Sequence, residues 1–139
     1  MHRIFFKVAA VFAMLSVALG AFGAHLFKQI LTPEHLNSFH TGVDYQMTHS
    51  LGLFVVGMMY RHYANKKMKL AGQFFIAGMV LFSGSIYLWL LMHYLQLPYS
   101  SAVIMVTPLG GLLFILGWLF MLLAIPKRKV YMKKEDTSS

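Results

Sequence analysis

The chain has 139 residues, 58% of them hydrophobic and only 12% charged, which is the composition of a membrane protein and not of a soluble domain. Its net charge of +8 excludes no partner by itself, but the basic residues flank apolar stretches. They therefore point to anionic lipid of the inner leaflet and away from nucleic acid. The absence of cysteine excludes disulfides, thiol catalysis and thiolate metal sites.

Four apolar stretches follow in order, at roughly 5–24, 41–60, 70–91 and 103–125. Each reaches the length of about 20 residues that a helix needs to cross a bilayer. They predict an all-α fold: four transmembrane helices in one antiparallel bundle that fills the chain as a single domain, with 126–139 as a basic tail. The first stretch has the layout of a cleavable export signal, a basic start with an apolar run and small residues after it. It is read instead as the first span, because its loss would leave three spans and no soluble fold for the Arg61–Lys69 cluster. Its Ala9, Ala13, Ser16, Gly20 and Gly23 form a small-residue stripe on one helical face, where backbones can approach closely. Ala71, Gly78 and Ser85 repeat the pattern in the third span, and Gly110 and Gly117 in the fourth. These seams predict a tight left-handed bundle and a possible contact between copies in a homo-oligomer.

The connections carry the orientation. Arg3 and Lys7 precede the first span, Arg61, Lys66, Lys67 and Lys69 follow the second, and the tail holds the other five of the eleven basic residues on that side. Lys28 alone lies in the first connection. This asymmetry places both termini in the cytoplasm, and the chain in the bacterial cytoplasmic membrane. Thr32-Pro33-Glu34 reads as a helix start: a capping hydroxyl, a proline in the first helical position and an acid in the first turn. In the third connection Tyr94 and Tyr99 suit the outer interface, Pro108 is expected to disturb the last span, and Pro126 ends it.

The second span is the polar one. At 100° per residue, Asn37, His40, Thr41, Asp44 and Thr48 share one face, with Tyr45 and His49 to one side. Such a stripe must turn to neighbouring helices or water. Counting from Arg61, His49 lies about 17 Å from the inner boundary, near mid-bilayer. His25, His40, Asp44, His49 and His93 are thus expected in the outer half of one bundle, at depths shared by Ser83, Ser85 and Tyr87. Two functional readings follow. One is a metal site of His40, Asp44 and His49, the first two four residues apart as ligand pairs often are. The other is a proton or solute path through His25, Asp44, Tyr45, Gln46, His49, Ser83 and Tyr87. The competing structural reading is that these groups bond across helices and set the packing. A carboxylate pair, a phosphate loop and a nucleophile motif are all missing, so neither an enzyme nor a cofactor is expected.

Four motifs fall in order, one per span: Gly20-Ala21-Phe22-Gly23-Ala24-His25, Thr41-Gly42-Val43-Asp44-Tyr45-Gln46-Met47-Thr48-His49, Leu81-Phe82-Ser83-Gly84-Ser85-Ile86-Tyr87, and Thr107-Pro108-Leu109-Gly110-Gly111 with Gly117-Trp118. Together they resemble the small four-helix inner-membrane proteins of the YgdD/YwdK type, a family of unknown function related to animal transmembrane protein 256. The resemblance implies fold and location, not an activity. The matching positions are His25, Tyr45, Gln46, His49, Ser83, Ser85, Tyr87, Thr107 and Pro108, while Gly42 stands where alanine is usual and Asp44 at a variable position. What composition and motifs together support is a non-enzymatic protein that serves the envelope by association with lipid or other membrane proteins. The alternative is a small proton, solute or metal-ion transporter built on the outer-half cluster.

Overall fold

The structure is a computed structural model that describes residues 1–98 and 101–126. Tyr99, Ser100 and the basic tail from Lys127 onward, given interfacial and cytoplasmic places above, lie outside the described residues. Among the described residues the regular structure is helical throughout: α1 His2–Phe22, a π-helical turn Gly23–Phe27, α2 Lys28–Ile30, α3 Pro33–His62, α4 Lys66–Tyr94 and α5 Ser101–Ala124.

The helix starts follow local chemistry. The Thr32 hydroxyl accepts the His35 amide at 3.3 Å, Pro33 opens α3, and Glu34 sits in its first turn, as the Thr-Pro-Glu sequence predicts. Asn65 caps α4 by accepting the Met68 amide at 2.9 Å. Its side-chain amide also donates to the Ala124 carbonyl at 3.0 Å, which ties the start of α4 to the end of α5. Beyond α4 the chain turns at Gln96, whose φ of 54° is in the left-handed region.

The helices run alternately up and down. α1 packs on α3, α3 on α4, and α4 on α5. Phe5 of α1 and Tyr60 near the end of α3 meet edge to face at one end. His35 near the start of α3 meets Trp89 and His93 of α4 at the other. The interior is layered. One apolar cluster, around Phe5, Leu53, Val56, Met68, Phe75 and Phe114, fills one end, and Phe39, Val43, Ile86 and Leu90 fill the other. Between them lies a belt containing the buried polar side chains Ser16, Gln46, His49, Ser50 and Ser83.

Small residues make the close packing possible. A Cβ on Gly110 would collide with the backbone of Phe82, and one on Gly72 would lie 2.5 Å from the Phe5 ring. A Cβ on Gly117 would meet the Phe75 ring at the same distance. The small-residue seams are therefore used inside the chain, as sockets for neighbouring rings and backbone.

Three helical segments, His2–Ile30, Lys66–Tyr94 and Ser101–Ala124, are long and apolar enough to cross a membrane. The expectation of four spans meets a difference at α3. It has 30 residues, ample length, but its N-terminal half carries the polar stripe. It packs on α1 and α4 and meets α5 through His49 and Phe114, so part of its surface is covered by protein.

Candidate functional site

The belt contains two arrangements on two faces of α3. On the first face, Gln46 uses both ends of its amide. Its Nε2 donates to the Phe12 carbonyl of α1 at 3.0 Å, and its Oε1 accepts from the Tyr87 hydroxyl of α4 at 3.1 Å. The Ser83 hydroxyl donates to the Gly42 carbonyl at 2.7 Å. The Ser50 hydroxyl bonds the Gln46 carbonyl at 2.6 Å and reaches the Met79 sulfur at 3.4 Å. One further tie, Ser85 to Thr107 at 2.6 Å, joins α4 to α5. Gln46, Ser83 and Tyr87, predicted as site residues, are thus brought together, and their polar atoms bond to one another or to backbone.

The second face meets α5. The His49 ring is 6% exposed and stacks on Phe114 with centroids 3.5 Å apart and planes within 11°. Its Nδ1 lies 2.7 Å from the Tyr45 carbonyl. A carbonyl only accepts, so Nδ1 carries the hydrogen, and in the neutral ring Nε2 keeps its lone pair. Tyr45 stacks on Phe82 with centroids 4.6 Å apart. Tyr45, His49, Phe82, Phe114 and Trp118 line a cleft of about 550 Å³ beside Pro108 and Gly111. Phe82, Phe114 and Ser50 were not singled out in the sequence. Ser50 had a signal, its place one turn after Gln46, and Phe82 had one in the Leu81–Tyr87 motif, whereas Phe114 belongs to another helix and had none.

The remaining predicted residues do not join. His25 is exposed on the π-helical turn. His40 faces that same turn, its Cε1 within 3.2 Å of where a Gly23 Cβ would stand. His49 is nine residues further on, half a turn around α3, and faces α5. Asp44 is exposed. His49 therefore faces away from His40 and Asp44, and among the described residues no three His, Asp or Glu side chains are placed to hold a metal ion. The stripe itself is also turned differently from expectation. Gln46 and His49 face inward, while Asp44 and Thr48 lie on the surface of the bundle.

This geometry can be set beside known proteins. Residues 19–111 match the family described as protein of unknown function DUF423. The UPF0382 membrane protein YwdK of Bacillus subtilis is 39% identical over 130 residues, which cover 90% of this chain and 98% of that protein. The chain belongs to this family. A Haemophilus influenzae UPF0382 membrane protein is 34% identical over 119 residues, covering 86% of this chain and 90% of its own. The Escherichia coli UPF0382 inner membrane protein YgdD is 32% identical over 121 residues, covering 87% and 88%. No solved structure matches the chain. The protein is accordingly a membrane protein of a family of unknown function. The family match spans the π-helical turn, all of α3 and α4, and α5 as far as Gly111, and so contains Gln46, His49, Ser83 and Tyr87.

Proposed function

We propose that the protein is a single-domain, four-span protein of the bacterial cytoplasmic membrane, with both termini in the cytoplasm. It works by association with lipid and with other membrane proteins, not by catalysis. The observation that carries this reading is the use made of the inner polar groups. Gln46, Ser50, Ser83 and Tyr87 bond helix to helix, which stabilises one packing and leaves no convergent set of free acids, bases or ligands among them. The orientation rests on the basic residues, eleven of twelve on one side of the spans. The surface suits association: outward residues such as Val17 on α1, Val80 on α4 and Leu112 on α5 form large apolar faces. The Escherichia coli relative carries the name of an inner membrane protein, which supports the same location here.

The test combines two measurements on protein in proteoliposomes and nanodiscs. The expected result is an intact proton gradient across the proteoliposome membrane, and phospholipid retained by the protein in native mass spectrometry. A protein that collapses the gradient, or that releases from the nanodisc free of lipid and partners, contradicts the reading. One observation favours a second reading, a small-solute or proton site: the Nε2 of buried His49 beside the α3–α5 cleft. Under that reading the gradient collapses, and His49→Phe restores it.

A further inference from the structure

His49 has one nitrogen that the fold leaves unused. Its Nδ1–H is taken by the Tyr45 carbonyl, while Nε2, an acceptor, has no partner among the described residues. The side chain is only 6% exposed and sits near the middle of α3, at a depth where acyl chains offer no donor. A buried polar atom left unpaired is costly, so this one calls for a donor from outside the chain. The ring is also held in place. It stacks on Phe114 and meets the edge of Phe75 at 5.6 Å, which fixes the direction of the lone pair.

The cleft beside His49 has the walls of a small-molecule site. Its volume of about 550 Å³ falls within the range of about 300–1,000 Å³ usual for ligand pockets. Tyr45, Phe82, Phe114 and Trp118 present rings around it, and α5 contributes Gly111. Gly110 is needed for the approach of the Phe82 backbone, but Gly111 has no such duty: a Cβ there would meet only the Phe82 ring, at 3.8 Å. What its missing side chain leaves is room in the cleft. Leu112 and Ile115, 52% and 64% exposed, flank the mouth, so it opens toward lipid. We propose that the cleft binds a neutral, lipid-soluble molecule whose head is a hydroxylated aromatic ring, with the hydroxyl donating to His49 Nε2. Each part of that description answers a wall. Nε2 accepts, so the ligand must donate. Four rings suit an aromatic plane, which stacks on them or meets their edges. Charge is excluded by the apolar lining and by the depth. An aliphatic tail on the head leaves along Leu112 and Ile115 into the bilayer. Water meets the first demand and neither of the next two.

The inference goes beyond the association proposed above and asks for binding only, without transport. Naphthol is the probe, and its methyl ether, the same rings without the donor, is the control. Both are offered by equilibrium dialysis to the protein in nanodiscs, with empty nanodiscs correcting for partition into lipid. Expected is saturable uptake of one naphthol per chain, with the ether bound about two- to tenfold more weakly, the worth of one hydrogen bond. On nitrogen NMR the His49 Nε2 signal moves with naphthol and not with the ether. His49→Phe keeps a ring on Phe114 and removes the acceptor, so naphthol then binds no better than the ether. Gly111→Leu fills the cleft with His49 in place and abolishes uptake of both. Helical circular dichroism checks that both variants fold, and the wild-type arms do not depend on them. Uptake no greater than that of empty nanodiscs, equal binding of the two probes, a naphthol preference that survives His49→Phe, or uptake that survives Gly111→Leu overturns the inference. So does an Nε2 signal that naphthol leaves unmoved, the result expected when water alone holds the site. If the probes fail while lipid is retained and the proton gradient holds, the inference falls and the proposed function stands. If the probes discriminate while the gradient collapses, the reverse is true.

Discussion

Gly110→Ala is expected to destabilise the bundle, although alanine is the better helix former. Glycine in a helix interior is disfavoured against alanine by about 0.8–1.0 kcal/mol. Against that gain stands a collision, for the new Cβ would fall on the amide nitrogen, Cα and Cβ of Phe82. Main-chain atoms of a packed helix cannot rotate aside as a side-chain tip can, so α4 and α5 must separate. Overpacking of this kind costs typically about 1–3 kcal/mol, and separation also loosens the Ser85–Thr107 bond and the contact of Phe114 on Gly78. The net expectation is a loss of about 1–2 kcal/mol, at the upper end of which the folded-to-unfolded ratio falls more than tenfold. Gly84 on α4 supplies the control, since no atom lies within 4 Å of where its Cβ would stand. Gly84→Ala should be neutral, or stabilising by up to about 1 kcal/mol. Reversible unfolding of both variants in one mild detergent, followed by helical circular dichroism, measures the difference. A Gly110→Ala protein as stable as wild type, or a Gly84→Ala protein less stable than Gly110→Ala, would refute the close α4–α5 approach.

Other perturbations address the polar belt and the caps. Gln46→Leu removes the bonds to Phe12 and Tyr87 and should cost about 1–3 kcal/mol in the same unfolding assay, from about 0.6 to 1.7 kcal/mol per interhelical bond. A cycle with Tyr87→Phe should show a positive coupling between the two sites, and strict additivity would mean that the bond does not form. Asn65→Ala loses the α4 cap and the tie to Ala124, for about 1 kcal/mol. Asn65→Asp keeps the capping oxygen and loses the donor to Ala124, so its stability should lie between those of wild type and Asn65→Ala.

The parts of this fold that were legible in the sequence are those fixed by local chemistry. The Thr32 cap with Pro33 and Glu34 needs only neighbouring residues, and α3 begins where those residues say. The small residues Ala9, Ser16, Gly78, Gly110 and Gly117 declare a buried stripe by spacing alone, and all are buried. Which ring fills each socket is a different matter, since Phe114 against Gly78 and Phe5 against Gly72 depend on how helices cross. The polar stripe shows the same divide. Periodicity places Asp44 and Thr48 on one face, but it does not say whether that face meets α4 or the outside. The rotation of α3 is decided by Gln46, Ser50 and Gly42, whose partners lie on α1 and α4. Spacing on one helix makes His40 and Asp44 resemble a ligand pair, while the half-turn that carries His49 to α5 gains its meaning only from the neighbouring helix.

The account turns on α3 crossing the membrane despite its polar half. The sides it connects can be mapped with Glu34→Cys in its first turn and Lys67→Cys in the first turn of α4, just beyond its end, each the only cysteine in its protein. A membrane-impermeant maleimide applied to intact spheroplasts should label Glu34→Cys and leave Lys67→Cys unlabelled until the membrane is opened. Labelling of both from the outside, or protection of both, would mean that α3 does not span and would contradict the account.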